Sequence, residues 1–503
     1  ALFAFFSVPL ANEDFSIEGF VKEKCTRKAL HFINVYLFQG GGTPLKATTD
    51  ELGHFSIPSV APGPARWVVN ASGYDKLELK EELQPPEGDT PLSTSLLLIP
   101  IAMEIYETTV VDKHSKRDDK TKTLTQKQFL QLPGSGGDPI KAVQNLPGVS
   151  RTSGFSSQVV IEGSAPQDTK YTLDGHEVPI IFHFGGLSSV VTPEAIERVD
   201  YLSAGYGPEY GRALGGLVGV WTKPAFTDRI HGLVSLDFLR SGFLIDGPIT
   251  SDQRFILSAR SSYIGPILRL ISRDNDKLNF TVAPDFADST IAHEIDFTKV
   301  DRLRTVFVAS NDTLDFVFKE PIGQDPSIRG SIYTKTAFYR IIPQYTHQFS
   351  PDTAARFSVG AGKDWIRFDT SDLFFHVSTL AVSARGEGET SITEYWKTIL
   401  GVDTRLTRAS VELELPSLPD SSSSASTGAA TARHVQVNKN LEEAGLYWRN
   451  TFLIGDPRWT LSPGLRLDHF NATHQALLSP RGAMKYELTP SWQIRTSGGG
   501  YVQ

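Results

Sequence analysis

The sequence predicts a mainly β protein in three parts. These are an N-terminal β-sandwich, a glycine-dense α+β module, and a long antiparallel set of strands with the character of a transmembrane β-barrel. Three observations predict it. Near the N-terminus, short β-branched and aromatic runs are separated by Gly/Pro turn chemistry. Glycine crowds the stretch "GYGPEYGRALGGLVGVWTK", Gly205 to Lys223. Beyond residue 225, apolar and polar residues alternate with a period of two, with charges on one face.

Composition agrees with this reading. The 503 residues include 42 Gly, 30 Pro, 30 Phe and 15 Tyr, a balance suited to turns and strands. The net charge of -8 argues against nucleic acid as a partner. Cys25 is the one cysteine, so no internal disulfide and no Cys-based metal site is possible. That usage fits an oxidising compartment.

The opening run "ALFAFFSVPLA", residues 1–11, reads as the apolar core and cleavage end of a secretory signal whose basic start is missing. A buried first strand is the alternative. No later stretch reaches the roughly 18 apolar residues of a membrane helix, and "LLLIPIAM" is broken by Pro100. An exported chain of this kind is periplasmic, secreted, or an outer-membrane barrel.

Residues 12–105 carry the strand candidates "IEGFVKE", "INVYLFQ", "HFSIPSV" and "ARWVVNASGY", spaced as in a small β-sandwich. "TTDELGHFSIPSVAPG", followed by "ASGY" from Ala71 to Tyr74, resembles the carboxypeptidase-regulatory-like domain. The resemblance implies a non-catalytic module. Residues 106–124 hold "DKHSKRDDKTKT", a mixed charge run without apolar periodicity, expected to be a flexible linker.

The glycines from 205 onward raise the question of a phosphate site. GxGxxG would need a glycine at position 210, which is Tyr210, and Lys223 is followed by Pro224, which excludes a Walker loop. "AIERVDYLSAGYGPEYGRALGGLVGVWTK" instead resembles the end of the plug of TonB-dependent outer-membrane receptors. "VVIEGSAPQDTKYTLDGHEVP" and "DPIKAVQNLPGV" resemble earlier plug segments, in the right order. Glu162 departs from the pattern, where Arg is commoner. The matching positions are Asp174, Gly175, Glu197, Arg198, Gly207, Gly211, Arg212, Gly215 and Gly216. In a plug, glycines permit tight turns and close backbone approach to the wall. Glu197, Arg198 and Arg212 are expected to meet charges of the wall, ordinary surface pairing being the alternative.

The resemblance divides the chain into an α+β plug, residues 125–224, and a barrel, residues 225–503. In "RWTLSPGLRLDHF", Trp459, Leu461, Leu465 and Leu467 share one face, and Thr460, Ser462, Arg466 and Asp468 the other. "RFILSARSSYI" alternates likewise. The family's barrel has about 22 strands, each needing roughly 9–11 residues plus loops. The barrel is therefore expected to be truncated.

Five residues before the linker, Glu107, Thr108, Thr109, Val110 and Val111, resemble a TonB box. Such a segment is read by strand addition to TonB. The last strand of the preceding sandwich is the alternative. "DGHEVPIIFHFGG" is the ligand-site candidate, with His176, Phe182, His183 and Phe184, packing against the wall being the other reading. His176-Glu177 and His293-Glu294 begin like HExxH, but Ile180 and Phe297 stand where the second His belongs. No cofactor, resident metal or catalytic residue is expected.

The resemblance implies a receptor in the outer membrane of a Gram-negative cell. It would take up a scarce small-molecule or oligomeric ligand such as a siderophore or cobalamin. Its partners would be TonB, the inner-membrane energising complex and outer-membrane lipid. The alternatives are a receptor signalling mainly through its N-terminal domain, and a secreted β-rich binding or adhesion protein.

Overall fold

The computed structural model describes residues 14–503 except 25–28, 40–42, 72–73, 75, 87–89, 99–120, 152–157, 184–185, 187, 204, 264, 266, 268–277, 319–329, 371–372, 394, 416–432, 455–457, 490–491 and 503. It falls into two compact units, of which the first is essentially residues 1–102.

In the first unit, β1 (Phe15–Glu23) pairs antiparallel with β4 (His54–Val60) and parallel with β7 (Leu92–Leu98). A second sheet orders β3 (Leu45–Thr48), β2 (Asn34–Gln39), β5 (Gly63–Val69) and β6 (Leu77–Leu83). Alternate residues point inward and pack Ile17, Val21, Val35, Leu37, Phe55, Ile57 and Trp67 into one core. Asp50 closes the turn before β4, its carboxylate accepting from Leu52 N at 2.8 Å and His54 N at 2.9 Å.

The second unit begins with β8 (Lys122–Thr125), the edge of a five-stranded sheet ordered β12-β11-β14-β13-β8. Its other strands are β11 (Thr169–Leu173), β12 (His176–Glu177), β13 (Ile196–Leu202) and β14 (Gly216–Thr222). Lys122 to Leu124 were expected in the linker. They pair with Tyr201 to Val199, and Thr123 Oγ1 donates to Asp200 at 2.6 Å, so the sheet captures them. Two short helices follow β8: α1 (Gln126–Gln131) and α2 (Pro139–Gln144). Asp138 caps α2 by accepting from Ile140 N and Lys141 N, with Pro139 in the first turn. A short β9 (Val149–Arg151) pairs with β10 (Val159–Ile161). Asp174 and Gly175, with φ of 45° and 82°, form the two-residue turn joining β11 to β12.

A 13-stranded antiparallel sheet then runs in chain order from β15 (His231–Leu236) to β27 (Trp492–Gly499). Between them lie β16 (Arg240–Pro248), β17 (Gln253–Ser262), β18 (Leu278–Asp296), β19 (Asp301–Phe318), β20 (Gly330–Ser350) and β21 (Thr353–Asp369). They are followed by β22 (Phe374–Thr393), β23 (Trp396–Leu415), β24 (Arg433–Ile454), β25 (Trp459–Phe470) and β26 (Gln475–Thr489).

The sheet's burial is the reverse of a soluble sandwich. Along β25, Trp459, Leu461, Leu465 and Leu467 are exposed, whereas Thr460, Ser462, Arg466 and Asp468 are buried. β17 buries Arg254, Ser258 and Arg260. Apolar outside and charged inside is the signature of a strand that faces lipid. Short turns gather at one end of the sheet, where Trp459 stacks on Tyr486 at 4.2 Å and Trp396 on Phe452 at 5.7 Å. Trp492 stands 72% exposed at the same end, completing an aromatic band of the kind found at a membrane interface. No helix among the described residues is long and apolar enough to cross a membrane.

Leu465 sits midway along the exposed face of β25. Leu465→Arg is expected to cost about 2–4 kcal/mol, the penalty for a cation on the lipid face near the bilayer midplane. Urea titration of the receptor refolded into vesicles measures it. An unchanged midpoint would mean that this face does not meet lipid.

Candidate functional site: the plug against the wall

Every strand from β16 to β27 reaches the β8–β14 module. Asp246 of β16 pairs with Lys223 at 2.6 Å, and Ser258 of β17 accepts from Thr192 at 3.3 Å. Arg340 of β20 donates to Glu177 O at 3.2 Å, and Ser358 and Ser383 of β21 and β22 hold His176. At the far edge, Ser497 of β27 touches Gly205. The module also shares one apolar core with the wall, with Val199, Val218 and Tyr171 beside Ile256, Val306 and Ile342.

The segment Gly205–Arg212 is clamped by arginines. Arg385 Nη2 donates to Glu209 O at 3.0 Å and Arg466 Nη1 to Pro208 O at 3.2 Å. Arg481 Nη1 donates to Gly207 O at 2.7 Å and also to Tyr210 O. Arg449 pairs with the Glu209 carboxylate at 2.6 Å. In the other direction, Arg212 bonds Asp403 and lies 3.5 Å from Glu443. Arg466 joins Asp403 at 2.8 Å to Asp468 at 2.7 Å. Arg466, Asp468 and Glu209 are fully buried. Charges so placed survive only in pairs, since each one alone would cost several kcal/mol of lost hydration.

Gly211 is required by this contact. A Cβ there would lie 2.3 Å from Arg466 Nη2, inside the guanidinium. Gly216 has a φ of 155°, and a Cβ on it would meet Leu202 O at 2.6 Å. Gly207 supplies a carbonyl to Arg481, and Gly215 N donates to Asp168 O at 3.2 Å. Asp174 accepts from Thr222 N at 2.9 Å and Thr222 Oγ1 at 2.7 Å, with Arg304 at 3.7 Å. Arg198 is bonded to Glu197 at 3.0 Å, lies 3.6 Å from Asp200, and covers the Trp221 ring. These three partners belong to the plug.

The ligand candidates lie deep. His176 accepts or donates at both ring nitrogens, to Ser383 at 2.7 Å and Ser358 at 3.0 Å. Burial pushes its pKa down to about 3, helped by Arg385 and Arg340, so the ring is neutral. Phe182 packs edge-on against Tyr171 in the core. His183 is fully buried between Asp288 and Asp312. The two histidines are bonded to the wall and Phe182 packs in the shared core, and Phe184 lies outside the described residues. Glu107 to Val111 also lie outside them. Glu294, which begins an HExxH-like run, is bound by Arg254 at 2.7 Å and Arg304 at 3.1 Å.

A cavity of about 370 Å³ opens beside β11, lined by Gln158, Gln167, Lys170, Glu177, Arg405 and Glu443 among others. β11 runs from this cavity toward Asp174, whose partner Arg304 stands close to the short turn at residues 297–300. The cavity therefore faces away from the short-turn end. Burial works against a charged Glu177, but Lys170 and Arg405 outweigh it and hold the carboxyl below its usual range. Among the described residues, no group of three or more His, Cys, Asp or Glu side chains is arranged to hold a metal.

Arg385, Arg449, Asp403 and Glu209 are the residues that sequence reasoning missed. For Arg385, Asp403 and Arg449 the one signal is a charge on the inward phase of a strand, whereas Glu209 lies in the plug loop before β14.

A lipid-facing antiparallel wall packed on a charged α+β module defines a plugged outer-membrane-type β-barrel protein. The TonB-dependent receptor plug domain matches residues 116–217, and the TonB-dependent receptor-like β-barrel matches residues 253–499. The carboxypeptidase regulatory-like domain matches residues 16–96. The chain belongs to the TonB-dependent receptors.

No curated protein sequence matches it. Among solved structures it is similar to a ferric enterobactin receptor variant of Pseudomonas aeruginosa in complex with enterobactin, at 16% identity and a TM-score of 0.55, over 76% of this chain and 62% of that one. It is similar to a siderophore receptor of the same organism at 18% identity and a TM-score of 0.51, over 75% and 61%. It is similar to the alcaligin outer-membrane receptor of Bordetella pertussis at 13% identity and a TM-score of 0.53, over 80% and 63%. The chain thus spans about three fifths of the length of these structures, and the likeness is one of fold.

Arg466→Met leaves Asp403 to Arg212 alone and Asp468 with no cation nearer than Arg212 at 4.0 Å. The full-length receptor is expected to lose about 3–5 kcal/mol in urea titration. Adding Asp468→Asn to that variant should recover part of the loss, because the carboxylate left without a close cation is then gone. Equal stability of Arg466→Met and the parent would contradict the clamp.

Proposed function

We propose that this chain serves TonB-dependent uptake as a receptor of the Gram-negative outer membrane. Its reading as domains is a regulatory-like sandwich at 12–105, a TonB box and linker at 106–121, a plug at 122–224 and barrel wall at 225–503. Substrate enters from the end away from the short turns and meets the plug near the cavity beside β11. TonB engages Glu107 to Val111 from the periplasm and draws on the plug, with the inner-membrane energising complex supplying the work.

The observation that carries this reading is the arginine clamp on Gly205–Arg212. A plug that must stay seated and still be movable is better held by many polar bonds, each exchangeable for water, than by an apolar core alone. The three structural neighbours named above are siderophore receptors, which favours a ferric siderophore as cargo over cobalamin or an oligomeric nutrient. A secreted adhesion protein has no use for a charged plug behind an apolar outer face. No observation favours signalling over uptake.

The box is tested by Val110→Pro in the full-length receptor. Proline removes the backbone donor that strand addition needs. Binding of the purified TonB periplasmic domain is expected to fall at least tenfold, while binding of ferric enterobactin or ferric alcaligin, whichever the parent takes, is unchanged. Unaltered TonB affinity would remove the box from this position.

A further inference from the structure

His183 is held between two carboxylates of the wall. Its Nδ1 lies 2.9 Å from Asp312 Oδ1 on β19, and its Nε2 lies 3.0 Å from Asp288 Oδ2 on β18. The ring stacks on Phe286 at 4.0 Å, with 16° between planes. A neutral imidazole has one N–H and can donate to one carboxylate, whereas two carboxylates at bonding distance call for a donor at both nitrogens. With both carboxylates ionised, the two bonds require the imidazolium.

Asp288 also receives Arg260 of β17, at 2.9 Å from Nη2. Arg260 and a protonated His183 are the cations bonded to this carboxylate pair in the contacts above, and loss of the proton removes one of them from a buried place. The plug segment that carries His183 is fixed at the same spot. His183 N donates to Ser188 O at 2.7 Å, and Val190 N to Ile181 O at 3.0 Å. Arg260 Nη2 donates to Ser189 O at 2.6 Å, and Arg240 bonds Ser188. From the plug side, Asp138 accepts from Ser189 N at 2.6 Å, so the ring's surroundings include this carboxylate as well.

We propose that His183 is a proton-held latch, which as imidazolium ties the plug at this histidine to two wall strands and on deprotonation releases one of them. The latch is independent of what the receptor carries. Burial disfavours the charged ring, but the hydrogen bonds and attraction of Asp288 and Asp312 outweigh it and hold the pKa above the ordinary histidine value. The sign follows from the folded value lying above the unfolded one. The latch is complete below about pH 6.5, the ordinary histidine value, and is lost as pH rises through the raised value, the proton passing to solvent. His176 works oppositely, since its folded value is lowered and its neutral form is the bonded one.

The test uses the full-length receptor in detergent micelles. Hydrogen exchange of the peptide covering residues 181–191 is followed from pH 6 to pH 10, corrected for the intrinsic rate. Protection is expected to fall at least tenfold across that range, with the α2 peptide unaffected. In Asp312→Asn one N–H suffices, and protection should become independent of pH. ¹⁵N NMR of histidine-labelled parent protein gives the second readout: His183 is expected to keep both ring protons at pH 7. A His183 ring neutral at pH 7, or protection constant through its deprotonation, would overturn the proposal.

Discussion

The inner face of the barrel wall is charged, and the plug shuts it from water. Each buried charge must then meet its opposite or a backbone carbonyl, and this requirement shapes both partners. Arg385, Arg449, Arg466 and Arg481 stand on β22, β24, β25 and β26 and converge on one plug segment. That segment offers four carbonyls and Glu209 in return, and Gly211 keeps its backbone bare enough for the Arg466 guanidinium to lie against it. A buried pair adds little net stability over an apolar one, but a wrong seating would strand several charges at once. The charges therefore specify where the plug sits more than how tightly.

The same strand periodicity serves opposite ends in the two units. In β1 the alternation sends Ile17 and Val21 into a dry core and leaves Glu18 outside. In β25 it sends Arg466 and Asp468 inward and leaves Leu465 and Leu467 outside. The difference lies in what each face meets. One sheet is closed by a second sheet, whereas the other meets lipid outside and a polar plug inside. A latch such as His183 fits this setting, because a pair that depends on a proton can be weakened without disturbing the apolar part of the contact.

The alternation of β25 and the glycine-rich plug end are legible in the sequence, because period and backbone freedom are local properties. Which face turns inward is not, since period two is silent about sign until lipid and plug are both present. The partners of Arg212 are equally hidden, for Asp403 lies 191 residues away. Gly211 reads as a point of close approach, but nothing nearby in the chain names Arg466 as the group approached. His183 invites a ligand reading because sequence displays it among aromatics, whereas its carboxylates come from β18 and β19. Lys122 to Leu124 look like linker because their charge and brevity conceal a sheet edge completed by β13.

The central claim is that the plug is seated in the wall in this register. Thr192 and Ser258 bring their hydroxyl oxygens within 3.3 Å across that contact, a spacing a disulfide can bridge with little movement. The measurement is oxidation of Thr192→Cys/Ser258→Cys in the full-length receptor in cells, read on a non-reducing gel against each single variant, with Cys25 replaced by Ser. The account predicts a near-complete intramolecular cross-link that reductant reverses. No cross-link in a folded, heat-modifiable receptor would contradict the seating and the charge pairing built on it.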